Sequence, residues 1–205
     1  MPAASQVTLT ATVPVAVPTG FPLLDAALGG GWPAGVLTEL LVPDSDFTCW
    51  SAEFSLLSPA LARLTVAPEA SWVVLIAPPW IPYAPGLCWQ GLTVSRVLVV
   101  RAREPLEVLW AMEETLRSGA GVGVIAWAGL AGRSLLQRLH LLAGQRQIWS
   151  VLVRAARFRM ERSPARLRLQ LLRQSSSELQ IEIFKNGWHG ATRQGTGMLT
   201  LERRI

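Results

Sequence analysis

The sequence predicts an α/β protein with a mostly parallel, twisted sheet, flanked by helices and closed by an antiparallel C-terminal edge. Apolar runs of strand length alternate with amphipathic helical patterns between residues 36 and 153, as in successive strand–helix–strand units. After residue 166, two alternating segments flank a serine-rich turn and a third short strand follows, which is typical of antiparallel strands. Half of the 205 residues are apolar, so a buried core is expected.

The helices and strands can be assigned in chain order from apolar spacing and from the residues that begin and end each segment. Proline in its first turn and glycine after its last residue mark the helix between Glu104 and Gly119. The other predicted helices cover residues 23–28, 53–64 and 135–142. The predicted strands cover residues 36–42, 72–77, 97–101, 122–127, 149–153, 167–173, 179–184 and 198–201.

The domain organisation is predicted to be simple. Residues 1–17 alternate threonine and valine between prolines without a helical period, which indicates an extended arm, and residues 18–205 form a single domain. The sequence lacks an apolar run of membrane-spanning length and a basic leader, so we expect a cytoplasmic protein that makes no membrane contact. The two cysteines, Cys49 and Cys88, are too far apart in sequence to suggest a disulfide framework or a metal site.

The loop after the first long strand stands where a nucleotide-binding protein holds its phosphates. Such a loop needs a closing glycine, a lysine for the phosphates and a hydroxyl for Mg²⁺. Phe47 and Cys49 are poor substitutes, and the only lysine of the chain is Lys185. The sequence also shows no Ser-His-Asp set and no close carboxylate pair. We therefore expect no catalytic residue, no cofactor and no metal.

A stiff loop with four prolines, residues 78–85, follows the second predicted strand, at the carboxyl end where open α/β sheets usually bind ligands. Trp80, Ile81 and Tyr83 are candidate partner-binding residues there, because exposed aromatic side chains on a rigid turn make good anchors. The alternative is that these rings fold back over the pocket.

Positive charge is concentrated in the C-terminal third of the chain. Residues 1–132 contain 5 arginines and 10 acids, whereas residues 133–205 contain 13 arginines and Lys185 against 4 glutamates. Arginines around one phenylalanine suit phosphate contacts and base stacking, so this region is a candidate site for single-stranded DNA or an acidic protein partner. An ordinary solvated basic loop is the alternative. The candidate residues are Arg154, Arg157, Phe158, Arg159, Arg162, Arg166, Lys185, Trp188, His189 and Arg193.

The remaining tryptophans and the other histidine receive simpler interpretations. Trp72, Trp110, Trp127 and Trp149 lie in predicted strands or helices and are expected in the core. His140 lies on a helix face that also carries arginine, and we expect it to be solvated.

The segment from Pro18 to Gly35 resembles the lead-in to the first core strand of RecA recombinases, where the pattern is T-G-x-x-x-L-D-x-A-L-G-x-G-G-x-P-x-G. The resemblance covers roughly residues 18–201. It implies a RecA-like core in which Phe47, Thr48 and Cys49 occupy the second glycine, lysine and hydroxyl positions of the phosphate loop.

Two further catalytic positions of the RecA pattern are empty. The chain has no acid between Glu69 and Glu104, where RecA carries its catalytic glutamate. Its fourth long strand ends in Trp127, where RecA has a magnesium-holding aspartate. The resemblance therefore implies a degenerate ATPase fold that is not an enzyme.

A chain that begins like RecA but lacks a working phosphate loop resembles the ImuA family, and more distantly the SulA family. The ImuA resemblance implies a non-catalytic accessory protein in SOS-induced, error-prone translesion DNA synthesis. Its expected partners are an ImuB-like inactive relative of Y-family polymerases and an error-prone alpha-type DNA polymerase, with RecA and single-stranded DNA as further candidates. The alternative is a SulA-like inhibitor of cell division that acts on FtsZ. The longer chain and its basic C-terminal strands favour the ImuA role.

Overall fold

The computed structural model describes residues 16–44, 52–66, 72–175, 177–188 and 196–202. Most of the predicted arm, the predicted phosphate-loop positions, His189 and Arg193 lie outside these residues. The helices are α1 (Pro22–Leu28), α2 (Ala52–Val66), α3 (Ala84–Trp89), α4 (Pro105–Ser118) and α5 (Arg133–Arg146). The strands are β1 (Ala16–Val17), β2 (Trp32–Pro33), β3 (Leu37–Val42), β4 (Trp72–Ile76), β5 (Val97–Val100), β6 (Gly121–Trp127), β7 (Trp149–Ala155), β8 (Leu167–Gln174), β9 (Glu178–Asn186) and β10 (Gly197–Glu202).

An eight-stranded mixed sheet forms the centre of the described structure, in the order β10-β9-β8-β3-β7-β6-β4-β5. The five pairs from β8 to β5 are parallel, and the two pairs that join β8, β9 and β10 are antiparallel. Strands β1 and β2 form a separate two-stranded antiparallel sheet. None of the described helices is long and apolar enough to cross a lipid bilayer.

The sheet is covered on both faces because its central strands are apolar throughout. All six residues of β3 are buried. Along β4, Val73 and Leu75 belong to one core cluster, whereas Val74 and Ile76 belong to a second cluster, as the alternation of side chains along a strand requires. Helix α2 contributes to the first cluster and helices α4 and α5 to the second, so the helices form a layer on each side.

The glycines between residues 20 and 35 are required by the path of the backbone. Gly20, Gly30 and Gly31 have φ values of 88°, 125° and 135°, a range that side chains disfavour. A Cβ on Gly31 would collide with the carbonyl group of Val17, and one on Gly20 would lie 2.5 Å from the Cβ of Pro59 in α2. Chain geometry alone therefore explains glycines on which the RecA resemblance depends.

Two segments that the sequence predicts as irregular are ordered into helices. Part of the proline-rich loop forms α3, because proline in the first turn of a helix loses no intrahelical hydrogen bond. The basic segment, residues 154–166, begins within β7 and continues as a 3₁₀-helix, Ala156–Met160. The interpretation of this segment as a loop therefore does not hold for its first half.

Candidate partner-binding surface

A concave pocket of about 730 Å³ opens at the carboxyl edge of the parallel strands β4, β5 and β6. Its walls come from the proline-rich segment after β4, the chain between β5 and α4, the first turn of α4 and the residues after β6. Open α/β sheets bind their ligands at this edge, and clefts of this volume accept a small molecule or the side chains of a partner.

Trp80 fixes the proline-rich segment to the core. Its ring meets Phe54 edge-on at 4.9 Å and Trp127 at 5.9 Å. Trp127 in turn donates a hydrogen bond from Nε1 to Oε1 of the buried Glu53, at 3.1 Å. Trp80 therefore folds back, as the alternative interpretation had it, and it holds the neighbouring residues of the segment in place.

Large apolar side chains project into solvent around this pocket. Ile81 and Tyr83 are 75% and 65% exposed, and each is adjacent in sequence to Pro82, which lines the pocket. On α4, Leu106 and Trp110 are 75% and 66% exposed and lie one helical turn apart. Leu130, which follows the lining residue Gly129, is exposed as well. We call Ile81, Tyr83, Leu106, Trp110 and Leu130 the carboxyl-edge surface. An exposed apolar patch of this kind is typical of an interaction site.

Positive charge borders the same surface. Arg101 and Arg103 line the pocket, are exposed, and form no salt bridge within the described residues. Oε2 of Glu107, the acid in this wall, accepts hydrogen bonds from the backbone N–H groups of Arg103, at 3.0 Å, and Glu104, at 3.2 Å. These two hydrogen bonds lower the pKa of Glu107, because they stabilise its charged form. Arg103 also lowers the pKa of Glu107 through its charge, so this end of the surface remains net positive.

Arg154 is engaged inside the protein. Its side chain is fully buried, and its guanidinium contacts Glu39 at 3.2 Å, Glu161 at 2.8 Å and the carbonyl oxygen of Gly129 at 3.1 Å. The second oxygen of Glu39 binds Nε of Arg168 at 2.5 Å. Arg154 is thus part of a buried ionic cluster and is not accessible to DNA, which corrects its assignment as a contact residue.

The central part of the basic segment is likewise occupied with internal contacts. Phe158 is only 7% exposed and lies against the guanidinium groups of Arg154 and Arg157, so its ring is not free to stack on a base. Arg157 binds Asp44 at 2.7 Å. Arg159 makes two 2.7 Å contacts with Glu182, which lower the pKa of that carboxylate through hydrogen bonding.

The remaining described candidates lie elsewhere. Arg162 and Arg166 are exposed, and neither forms a salt bridge within the described residues. Nζ of Lys185 donates to the carbonyl oxygen of Ser163 at 2.8 Å, and Trp188 Nε1 donates to that of Leu28 at 3.0 Å. Among the described candidates, the basic residues therefore do not line one continuous groove.

Sequence reasoning missed Glu39 and Arg168 and misplaced two tryptophans. An acid within the apolar run of β3 was the available signal for Glu39, since an isolated carboxylate is not buried without a partner. Trp127 and Trp149 are buried as predicted, but Trp110 is mostly exposed and Trp72 is 44% exposed. His140 is half-buried, and its Nδ1 accepts a hydrogen bond from the backbone N–H of Leu37 at 3.2 Å.

The chain is an α/β protein whose carboxyl edge carries exposed apolar side chains. No protein-family model matches the chain. The chain is similar to the cell division inhibitor SulA of Pseudomonas aeruginosa, with 29% identity over 140 residues, which are 66% of this chain and 84% of SulA. The crystal structure of SulA from Pseudomonas aeruginosa aligns with a TM-score of 0.47 and 27% identity, over 60% of this chain and 100% of that chain.

The similarity to SulA corrects two predictions. The assignment of a RecA-like core is wrong, because the relative found is a SulA protein and the glycines that suggested RecA serve the local backbone path. The main functional prediction, an accessory role in translesion synthesis, is wrong as well, because the similarity favours the alternative of a division inhibitor. Membership of the ImuA family is not confirmed.

Proposed function

We propose that this protein is an inhibitor of cell division that acts in the cytoplasm in response to DNA damage. The observation that carries the proposal is the similarity to a division inhibitor over 84% of that relative's length. Its target, by the same reasoning, is the division protein FtsZ. We further propose that it acts by occupying a surface of its target and catalyses no reaction of its own.

The carboxyl-edge surface supports this mode of action. A protein that inhibits by binding needs apolar side chains that are exposed in the free state and become buried in the complex. Ile81 and Tyr83 stand on a segment that Trp80 ties to the core, so little conformational freedom is lost when they bind. Arg101 and Arg103 would add electrostatic attraction to an acidic patch on the target and speed association.

Controlled expression in the native host tests the function. We expect cells that produce the protein to grow into filaments, because division stops while growth continues. In a purified system, the protein should bind FtsZ and reduce the amount of sedimentable FtsZ polymer. Normal cell length together with the absence of FtsZ binding would refute the proposal.

A matched pair of substitutions tests the surface. Leu106→Ser should weaken target binding about tenfold or more, since a central apolar anchor contributes more than about 1–2 kcal/mol to a typical interface. Met198→Ser is the control, because Met198 is 77% exposed, close to the 75% of Leu106, but lies on the edge strand β10. Binding should be measured by titration calorimetry with FtsZ. If the two variants bound FtsZ with equal affinity, the carboxyl-edge surface would not be the binding site. The proposal of an inhibitory function would not be affected.

A further inference from the structure

A second pocket, of about 430 Å³, lies at the opposite, amino edge of the parallel strands. It is formed by the residues that precede β3, the C-terminal half of α5, the residue before β8 and the residues after β9. The residues that matter for its chemistry are Val36, His140, Leu141, Arg166 and Trp188. None of them belongs to the carboxyl-edge surface.

Hydrogen bonds hold the backbone of Arg166 and the ring of His140 in place beside this pocket. The backbone N–H of Arg166 donates to the carbonyl oxygen of Leu37 at 3.1 Å, and its carbonyl oxygen accepts from Gly187 at 2.8 Å. The Arg166 guanidinium is exposed and forms no salt bridge in the part of the chain that the structure describes. Because Nδ1 of His140 accepts the Leu37 N–H, the neutral imidazole carries its proton on Nε2 and keeps one donor.

The local potential in the pocket is positive. Among the described residues, no aspartate or glutamate lines it. The pKa of His140 is lowered by burial first and then by the charges of Arg166 and Lys185. The last turn of α5 is the negative end of that helix, but the carbonyl oxygen of Gly144 there already accepts a hydrogen bond from Nε2 of Gln147, at 2.8 Å.

One wall of the pocket is flat and apolar. Trp188 is half-buried, and its Nε1 donates to the carbonyl oxygen of Leu28 at 3.0 Å, which fixes the orientation of the indole ring. Leu141, 55% exposed, adds apolar surface on α5. An arginine can bind a carboxylate or phosphate through charge-assisted hydrogen bonds, and an indole face offers apolar surface to a ring.

We propose that this amino-edge pocket binds a small planar organic anion. A carboxylate or phosphate group of the ligand lies on the Arg166 guanidinium and accepts the Nε2 proton of His140, while the ring of the ligand packs against Trp188. The site goes beyond the proposed function and does not depend on it, because division inhibition and ligand binding are measured separately.

Titration calorimetry with four probes tests the site on the full-length protein. The probes are naphthoate, naphthyl phosphate, inorganic phosphate and naphthamide, which has the shape of naphthoate without its charge. We expect both aromatic anions to bind about tenfold more tightly than naphthamide and inorganic phosphate, because the site needs both the charge and the ring. The tighter of the two aromatic anions identifies whether the pocket prefers a carboxylate or a phosphate.

Two arginine variants complete the test. Arg166→Gln should weaken binding of both aromatic anions about tenfold, whereas Arg162→Gln should change it less than about twofold. Arg162 is exposed, lies outside the pocket and forms no salt bridge within the described part of the chain. Because both side chains are exposed, we expect neither substitution to change the melting temperature. Melting temperatures equal to that of the wild type show that both variants are folded. Absence of anion binding at millimolar ligand, equal binding of naphthoate and naphthamide, or an Arg166→Gln variant that binds like the wild type would each overturn the proposal.

Discussion

Glu39 lies between two buried arginines in the middle of the sheet. Its carboxylate binds Arg154 and Arg168, and neither it nor its two partners has a side chain more than 7% exposed. Charges are costly to remove from water, so each of the three depends on the others. The guanidinium of Arg168 also donates to the carbonyl oxygens of Phe158, Arg159 and Glu161, which ties the 3₁₀-helix to the same cluster.

Replacement of Glu39 by glutamine should lower the free energy of unfolding by about 3–5 kcal/mol, because the buried Arg168 loses its counter-charge and the buried Arg154 keeps only Glu161. Glu182→Gln is the matched control: it breaks the partly exposed pair with Arg159 and should cost about 1 kcal/mol or less. The free energies of unfolding of both variants are measured by urea denaturation, monitored by far-UV circular dichroism. A smaller loss for Glu39→Gln than for Glu182→Gln would contradict the role assigned to the cluster.

His140 makes stability depend on pH in a defined direction. Burial, Arg166 and Lys185 hold its folded-state pKa below the ordinary value of 6.5, so the unfolded chain takes up a proton more readily as the pH falls. Its contribution to stability is complete above about pH 6.5 and is lost as the pH falls through the folded-state pKa. In the His140→Gln variant, the loss of stability that results from protonation of His140 should disappear. Melting temperatures of both proteins between neutral and acidic pH test this, and parallel curves would refute it.

The sequence alone could indicate some of these residues. The sequence shows that Phe158 lies among several arginines. It does not distinguish arginines that face solvent from arginines that form ion pairs inside the protein. Glu39 meets Arg154 and Arg168 only through strand pairing between distant parts of the chain. Trp110 was misplaced because apolar spacing identifies the possible faces of a helix, whereas the fold decides which face is covered.

At the scale of elements, the small sheet of β1 and β2 depends on Gly31. An alanine there would place its Cβ against the Val17 carbonyl and force a non-glycine residue to φ 135°, so Gly31→Ala should cost about 1–3 kcal/mol of stability. Gly132→Ala is the control, with a φ of −65° and no atom within 4 Å of the new Cβ; because alanine is a poorer N-cap for α5 than glycine, it should cost about 0.5–1 kcal/mol. Equal unfolding midpoints of the two variants would show that the glycine is dispensable.

The long elements were predictable because their signals are local. The strand predicted at residues 72–77 is β4 (Trp72–Ile76), and the helix predicted between Glu104 and Gly119 is α4 (Pro105–Ser118). Strands β1 and β2 were missed, since two residues are too few to show an alternating pattern. Helix α3 was missed because Gly86 and the prolines of residues 78–85 suggest a loop, although Pro85 stands in the first turn, where the helix needs no N–H.

At the scale of the whole molecule, the two pockets open at opposite ends of the parallel strands and should act independently. Leu106→Ser should reduce FtsZ binding without changing the affinity for naphthoate, and Arg166→Gln should do the reverse. Distant substitutions without shared contacts have additive effects, so a double variant should show the two single losses unchanged. Coupling of more than about 1 kcal/mol between the two measurements would show that the edges communicate.

The position of β3 also determines how the protein is made. Leu37 in β3 pairs with Ser150 in β7, and Thr38 pairs with Leu167 in β8, so the central strand emerges from the ribosome long before either of its neighbours. Contacts between such distant segments make folding slow, and the growing chain exposes an apolar strand with unpaired edges in the meantime. We therefore expect the nascent chain to be most vulnerable to aggregation and proteolysis until β8 has been synthesised.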